Sequence, residues 1–113
     1  MACVQGVLKS VDDLLLETID DVLKQVFGKK PAKILIQGMK KNYFLEWEEI
    51  PSKVEVFADG LGKILGSGAV IIEDLILESL HSELGLELKW KKGYGFSDYI
   101  KELRNKCGLT VEG

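Results

Sequence analysis

Apolar residues recur along most of this chain every three to four positions, the spacing of helices rather than strands. Val11, Leu15, Ile19, Val22, Leu23 and Val26 share one helical face, with Asp13, Glu17, Asp20, Asp21 and Lys24 opposite. Ser10 with Asp13 three residues later is a form of capping box, and Gly28 supplies the stop. After a short Lys-Lys turn, Pro31 is placed to begin a second helix whose apolar face is Ala32, Leu35, Ile36 and Met39. A strand through residues 33–36 competes, but the periodicity favours helix. The short connection makes the first two elements an antiparallel hairpin.

Residues 42–51 read as a compact connector with one helical turn, closed by Pro51, whose aromatics Tyr43, Phe44 and Trp47 seal the core edge or form an association patch. Ser52 with Glu55 predicts a capped third helix carrying Val54, Phe57, Ala58, Leu61, Ile64 and Leu65. Gly60 and Gly62 inside it suggest close approach of another backbone, that of the following helix. The longest apolar-periodic run, 67–84, begins with Ser67 as cap and ends at Gly85. Ala69, Val70, Ile72, Ile76, Leu77, Leu80 and Leu84 form a wide arc, and Ile71 and Leu75 outside it leave only a narrow polar strip. Such a helix is expected at the centre, packed on several sides. Leu86 to Lys91 alternates and reads as extended, or as one arm of a short hairpin near 86–95. A last short helix starts at Phe96 and Ser97, turns Tyr99, Ile100 and Leu103 inward, and closes at Gly108. The expectation is a single all-α domain over 1–113, an orthogonal or antiparallel bundle of about five helices around residues 67–84. Residues 1–9 and 109–113 are loose, and α+β is the alternative.

The 113 residues, 46% apolar and 29% charged, are those of an ordinary globular domain. No uncharged apolar run suits a membrane span and no signal peptide is visible, so the cytoplasm is the expected compartment. Cys3 and Cys107 make neither a disulfide framework nor a zinc-site pair, and two free thiols are expected, with a bridge between them as the alternative. The net charge of −3 argues against a dedicated nucleic-acid binder. Charge alternates in blocks, −3 over 1–27, +3 over 28–53, −5 over 54–85 and +2 over 86–113. Such blocks hold neighbouring elements together or guide two chains together.

Few motifs carry chemistry. Gly60 to Ser67 resembles a nucleotide loop but lacks the third glycine and the preceding strand of a dinucleotide site, and lacks consecutive Gly-Lys-Ser/Thr. Helix packing explains its glycines. Asp74, Glu78 and His81 share the polar strip of the central helix, and Glu-x-x-His is a metal-ligand spacing in helical bundles. With one histidine in the chain, a solvated polar face is the plainer reading, and no cofactor is implied. Glu73 falls inside the apolar arc, so its carboxylate is paired, hydrogen-bonded or protonated, or serves as a functional group, unless the helix is less enclosed and leaves it exposed. Lys89, Lys91 and Lys92 with Trp90 and Tyr94 form the one basic–aromatic cluster, either a weak single-stranded nucleic-acid site or a solvated edge. No nucleophile–base pair is visible, so a non-enzymatic domain is the expectation, with an enzyme-like ligand-binding domain as a rival. Trp47, Trp90 and Tyr94 are the candidate interaction surface.

Over residues 52–85 the chain reads F-x-x-x-L-G-x-I-L-G-x-G-A-x-x-I-E-x-x-I-x-x-x-L from Phe57 to Leu80. This resembles a family of small archaeal domains called Nitrosopumilus output domains, some fused to sensory modules. The resemblance implies a mostly helical cytoplasmic domain, a signal-output or interaction module, with no catalytic residues to carry over. Together these readings predict a non-enzymatic interaction module that forms a homo-oligomer, a dimer, or meets a protein partner. The alternatives are a small-ligand or metal-binding domain and a weak nucleic-acid binder.

Overall fold

A computed structural model describes residues 10–107. Five α-helices follow in order: α1 Val11–Phe27, α2 Lys29–Tyr43, α3 Val54–Leu65, α4 Gly68–Glu83 and α5 Phe96–Cys107, with a 3-10 segment, Trp47–Lys53, before α3. No strand is present among the described residues, so the all-α reading holds and the 86–95 hairpin does not form. None of these helices is long and apolar enough to cross a membrane. Gly108, the terminal segments and the thiols of Cys3 and Cys107 lie outside what is described.

Local chemistry sets the helix ends. The Ser10 hydroxyl accepts the Asp13 amide at 3.1 Å, and Gly28 ends α1 with φ of 93°. Pro31 sits in the first turn of α2 but two residues inside it, because Lys29 and Lys30 are already helical. The connector departs further from expectation. Its helical turn runs through Pro51 to Lys53 as a 3-10 segment, whose φ range suits proline. The capping box is Glu46 with Glu49, while Ser52 donates to the Glu49 carbonyl and caps nothing; α3 starts at Val54 without a side-chain cap. Ser67 likewise stands before α4 without a side-chain cap. At the far end of α4, Gly85 takes φ of 70°, its amide donates to Ser82, and the Leu86 amide donates to the His81 carbonyl. That is the Schellman arrangement that satisfies the last carbonyls of a helix.

One continuous core joins all five helices. α1 lies along α4 and α2, α3 packs on α4 and α5, and α2 reaches α1 and α3. Leu15, Ile19, Leu61, Ile76 and Leu80 are wholly buried, and the Phe57 and Phe96 rings, 6.2 Å apart, join α3 to α5. Arg104 of α5 ties three elements: its guanidinium pairs with Asp12 at 2.9 Å in the first turn of α1 and donates to the Pro51 carbonyl. Val26 and Ile64, expected on inner faces, are exposed, while Leu14 and Thr18 are buried. The glycine prediction also needs correction. A Cβ on Gly60 would lie 3.3 Å from the Tyr43 ring, so the close neighbour is a side chain of α2 rather than the α4 backbone, and Gly62 faces open space.

This contrast is testable. Gly62→Ala should stabilise the domain by about 0.4–1 kcal/mol, because it restricts the unfolded chain at no steric cost. Gly60→Ala should gain less or lose stability, since Tyr43 has to yield. Urea unfolding of both variants measures the difference.

Candidate functional site

α4 bears the candidate groups, and its packing decides which of them are available. Ala69, Ile72, Ile76, Leu77, Leu80, His81 and Leu84 are buried against α1, α3 and α5. The helix is not enclosed on all sides, however. Ile71 is 64% exposed and Leu75 36%, and Val70, expected in the inner arc, is also exposed near the helix start. Ile71, Leu75, Glu78 and Ser82 stand at i, i+4, i+7 and i+11 and form one outward strip, with Asp74 beside it. α4 carries Glu73, Asp74, Glu78 and Glu83 and no lysine or arginine. Asp74, Glu78 and Glu83 make no ion pair among the described residues.

The expected polar trio does not assemble. Glu78 is exposed and Asp74 half-buried, whereas His81 is 3% exposed and belongs to the core. Its Nδ1–H donates to the Leu77 carbonyl at 2.8 Å, which leaves Nε2 without the proton in the neutral ring. Among the described residues no group of three His, Cys, Asp or Glu side chains is placed to hold a metal. Burial pushes the imidazole below its ordinary value; the bond to Leu77 opposes this, Lys106 adds to it, and Glu102 opposes it.

On the flank of α4 that carries Asp74, a groove of about 290 Å³ opens between the helix and the start of α5. Val70, Glu73 and Asp74 line one wall, and Trp90, Tyr94 and Tyr99 line the other. Glu73 is half-buried and has no hydrogen bond or ion pair among the described residues. Burial raises its pKa above the ordinary carboxylate value, and the neighbouring Asp74 charge adds to the shift. The aromatic wall is held by Tyr99, whose hydroxyl accepts the Lys91 amide at 2.7 Å and donates to the Lys91 carbonyl at 3.2 Å. Trp90 stands edge-on to Tyr99 at 5.7 Å, and Tyr94 lies 5.0 Å from it. Trp90 and Tyr94 are both exposed.

The basic–aromatic cluster is thereby divided. Lys91 pairs with Glu102 and lies over the Tyr94 ring, so its charge is engaged within the chain. Lys89 and Lys92 alone remain solvated without partners among the described residues. Trp47 is half-buried and lines a separate, larger groove of about 440 Å³ between α1 and α2, beside Asp20, Lys24, Lys33 and Gln37. Phe44, 82% exposed at a left-handed helix end with φ of 54°, is the most exposed aromatic. Of the two expectations for the connector aromatics, exposure holds for Phe44, because it is the left-handed residue that ends α2.

His81 sets a pH dependence with a definite sign. Its folded pKa lies below the ordinary value of 6.5, so the unfolded chain binds more protons between the two values. The stabilisation is complete above 6.5 and is lost as pH falls through the lowered folded value. Urea midpoints should therefore drop on acidification from about pH 7 to about pH 5, and His81→Leu should flatten that slope.

Comparison with known proteins finds nothing similar: the chain matches no family model, no curated protein and no solved structure.

Proposed function

We propose that this domain is a non-enzymatic interaction module that receives a basic, apolar-anchored helix on the outward strip of α4. The observation that carries this reading is Ile71 with Leu75, exposed together with Val70 on a helix whose other side builds the core, and bordered by Asp74, Glu78, Ser79 and Ser82. Exposed apolar surface on a well-packed helix favours a partner, and a helix bearing acids alone selects one with lysine or arginine at the rim. The resemblance of residues 52–85 to archaeal output domains agrees with such a role and remains part of the proposal, as does a cytoplasmic setting. A monomeric amphipathic Leu/Lys helical peptide should shift the amides of Ile71, Leu75, Glu78 and Ser82, and Ile71→Asp should weaken it about tenfold. Peptide binding that ignores this substitution would remove the reading.

A second reading has its own support in Glu73. A half-buried carboxylate without a partner, facing Trp90 and Tyr94, suits an organic cation, which gains from both the charge and the aromatic faces. Tetramethylammonium should move the indole N–H resonance of Trp90 and leave that of Trp47 in place, and Glu73→Gln should abolish the effect. Equal movement of both indoles, or none, would exclude it. Single-stranded nucleic acid has weaker support, because Lys91 is already paired.

A further inference from the structure

We infer that the basic helix received by α4 is α2 of a second copy of this chain, in a head-to-tail contact. The inference rests on the reading of α4 as a docking strip and supplies the partner. α2 is the counterpart of α4 in every respect that docking requires. It carries Lys29, Lys30, Lys33, Lys40 and Lys41 and no acid, where α4 carries four acids and no lysine or arginine.

Its outward residues, Lys30, Ile34, Gln37 and Lys41, follow at i, i+4, i+7 and i+11, the same spacing as Ile71, Leu75, Glu78 and Ser82. Each strip extends about 16 Å. Ile34 is 67% exposed, the apolar anchor that the Ile71–Leu75 pair lacks among the described residues of its own chain. Gly38 adjoins Ile34 one turn on, and its missing Cβ has only the Asn42 side chain within 4.0 Å. Bare backbone there lets a second helix approach towards the short end of the 8–10 Å range of packed helices.

The charges on both strips are also unspent among the described residues. Of the α2 lysines, Lys40 pairs with Glu46, while Lys29, Lys30, Lys33 and Lys41 have no ion pair among the described residues. Asp74 and Glu78 have none either. Within the chain α2 packs mainly on α1 and α3, and α4 on α1, α3 and α5, so neither outward strip is used against the other. A symmetric α4-to-α4 contact is disfavoured, because it would set Asp74 and Glu78 against the same acids of the other copy. An α2-to-α4 contact is heterologous, so each joined pair keeps one free α2 strip and one free α4 strip, and assembly continues until it closes a ring or runs on as a filament.

A single helix pair buries less than the ~1,000 Å² of a durable interface, so the contact is weak, reversible and sensitive to salt.

Sedimentation velocity on the intact chain tests this through two exposed positions. The wild type should show mass rising with concentration in low salt, and about 1 M salt, where the Debye length is ~3 Å, should abolish the rise. Ile34→Glu should weaken association about tenfold, because it sets an acid against α4, and Ile71→Lys should do the same by setting a lysine against α2. Mixing the two variants should restore the association that is weakened in each alone, since one junction then pairs the new acid with the new lysine and the other is that of the wild type. Association of Ile34→Glu equal to the wild type would overturn the inference and point to a symmetric contact. A wild type that stays monomeric in low salt while α4 still binds the Leu/Lys peptide overturns the second copy as partner and leaves the docking strip standing. Loss of both overturns both.

Discussion

Burial of one stripe of α4, from Ile72 through Ile76 and Leu80 to Leu84, is the constraint on which the rest of the domain depends. The other helices are arranged to cover it. α1 runs along one flank with Leu15 and Ile19, α3 brings Phe57 and Leu61, and α5 closes the remaining side with Ile100 and Leu103. Each wholly buried leucine or isoleucine at this centre is a position where truncation to alanine costs about 2–5 kcal/mol. α2 is spent on α1 and α3, so nothing among the described residues covers the outward side of α4. The exposed Ile71 and Leu75 follow from that shortage of covering elements, and the proposed docking strip is its functional consequence.

The segment between α4 and α5 is organised by polar bonds. Residues 86–91 alternate like a strand, yet they find no second strand among the described residues, and Leu86 and Leu88 tuck part of their surface against the core instead. Tyr99 supplies what a ladder would have supplied, binding both the amide and the carbonyl of Lys91. Gly93, with φ of 84°, then turns the chain back so that Tyr94 packs on the same ring. This one tyrosine thus satisfies the loop backbone, positions Trp90 and Tyr94, and builds the wall opposite Glu73.

Glu73 and His81 show how far a helical wheel reaches. The angular position of Glu73 inside the apolar arc marks it as the carboxylate needing explanation, and the structure leaves it half-buried without a partner among the described residues. His81 is the opposite case. It lies next to Leu77 on the wheel, a signal that it belongs to the buried side, but its residue type places it with Asp74 and Glu78 on the polar strip. Burial is affordable there because the Leu77 carbonyl one turn earlier accepts its Nδ1–H. The wheel likewise places Val70 inside and Ile71 and Leu75 beside a covered surface, since it records which residues share a face and not how many faces neighbouring helices reach.

Local sequence by itself determined the helices, their all-α character and most of their ends. The 3.6-residue repeat, the Ser10 cap and the stops at Gly28, Gly66 and Gly85 act through bonds between residues a few positions apart. It also determined the opposed charges of α2 and α4, which are facts of composition. Only the tertiary structure decided that Gly60 meets Tyr43, that Arg104 reaches Asp12 across 92 residues, that Ser52 serves the 3-10 turn instead of α3, and that the outward strip of α4 stays bare. The physical reason is common to all four. Each depends on which surface is left over once the best-packed faces have met, and that is set by competition among all the helices at once.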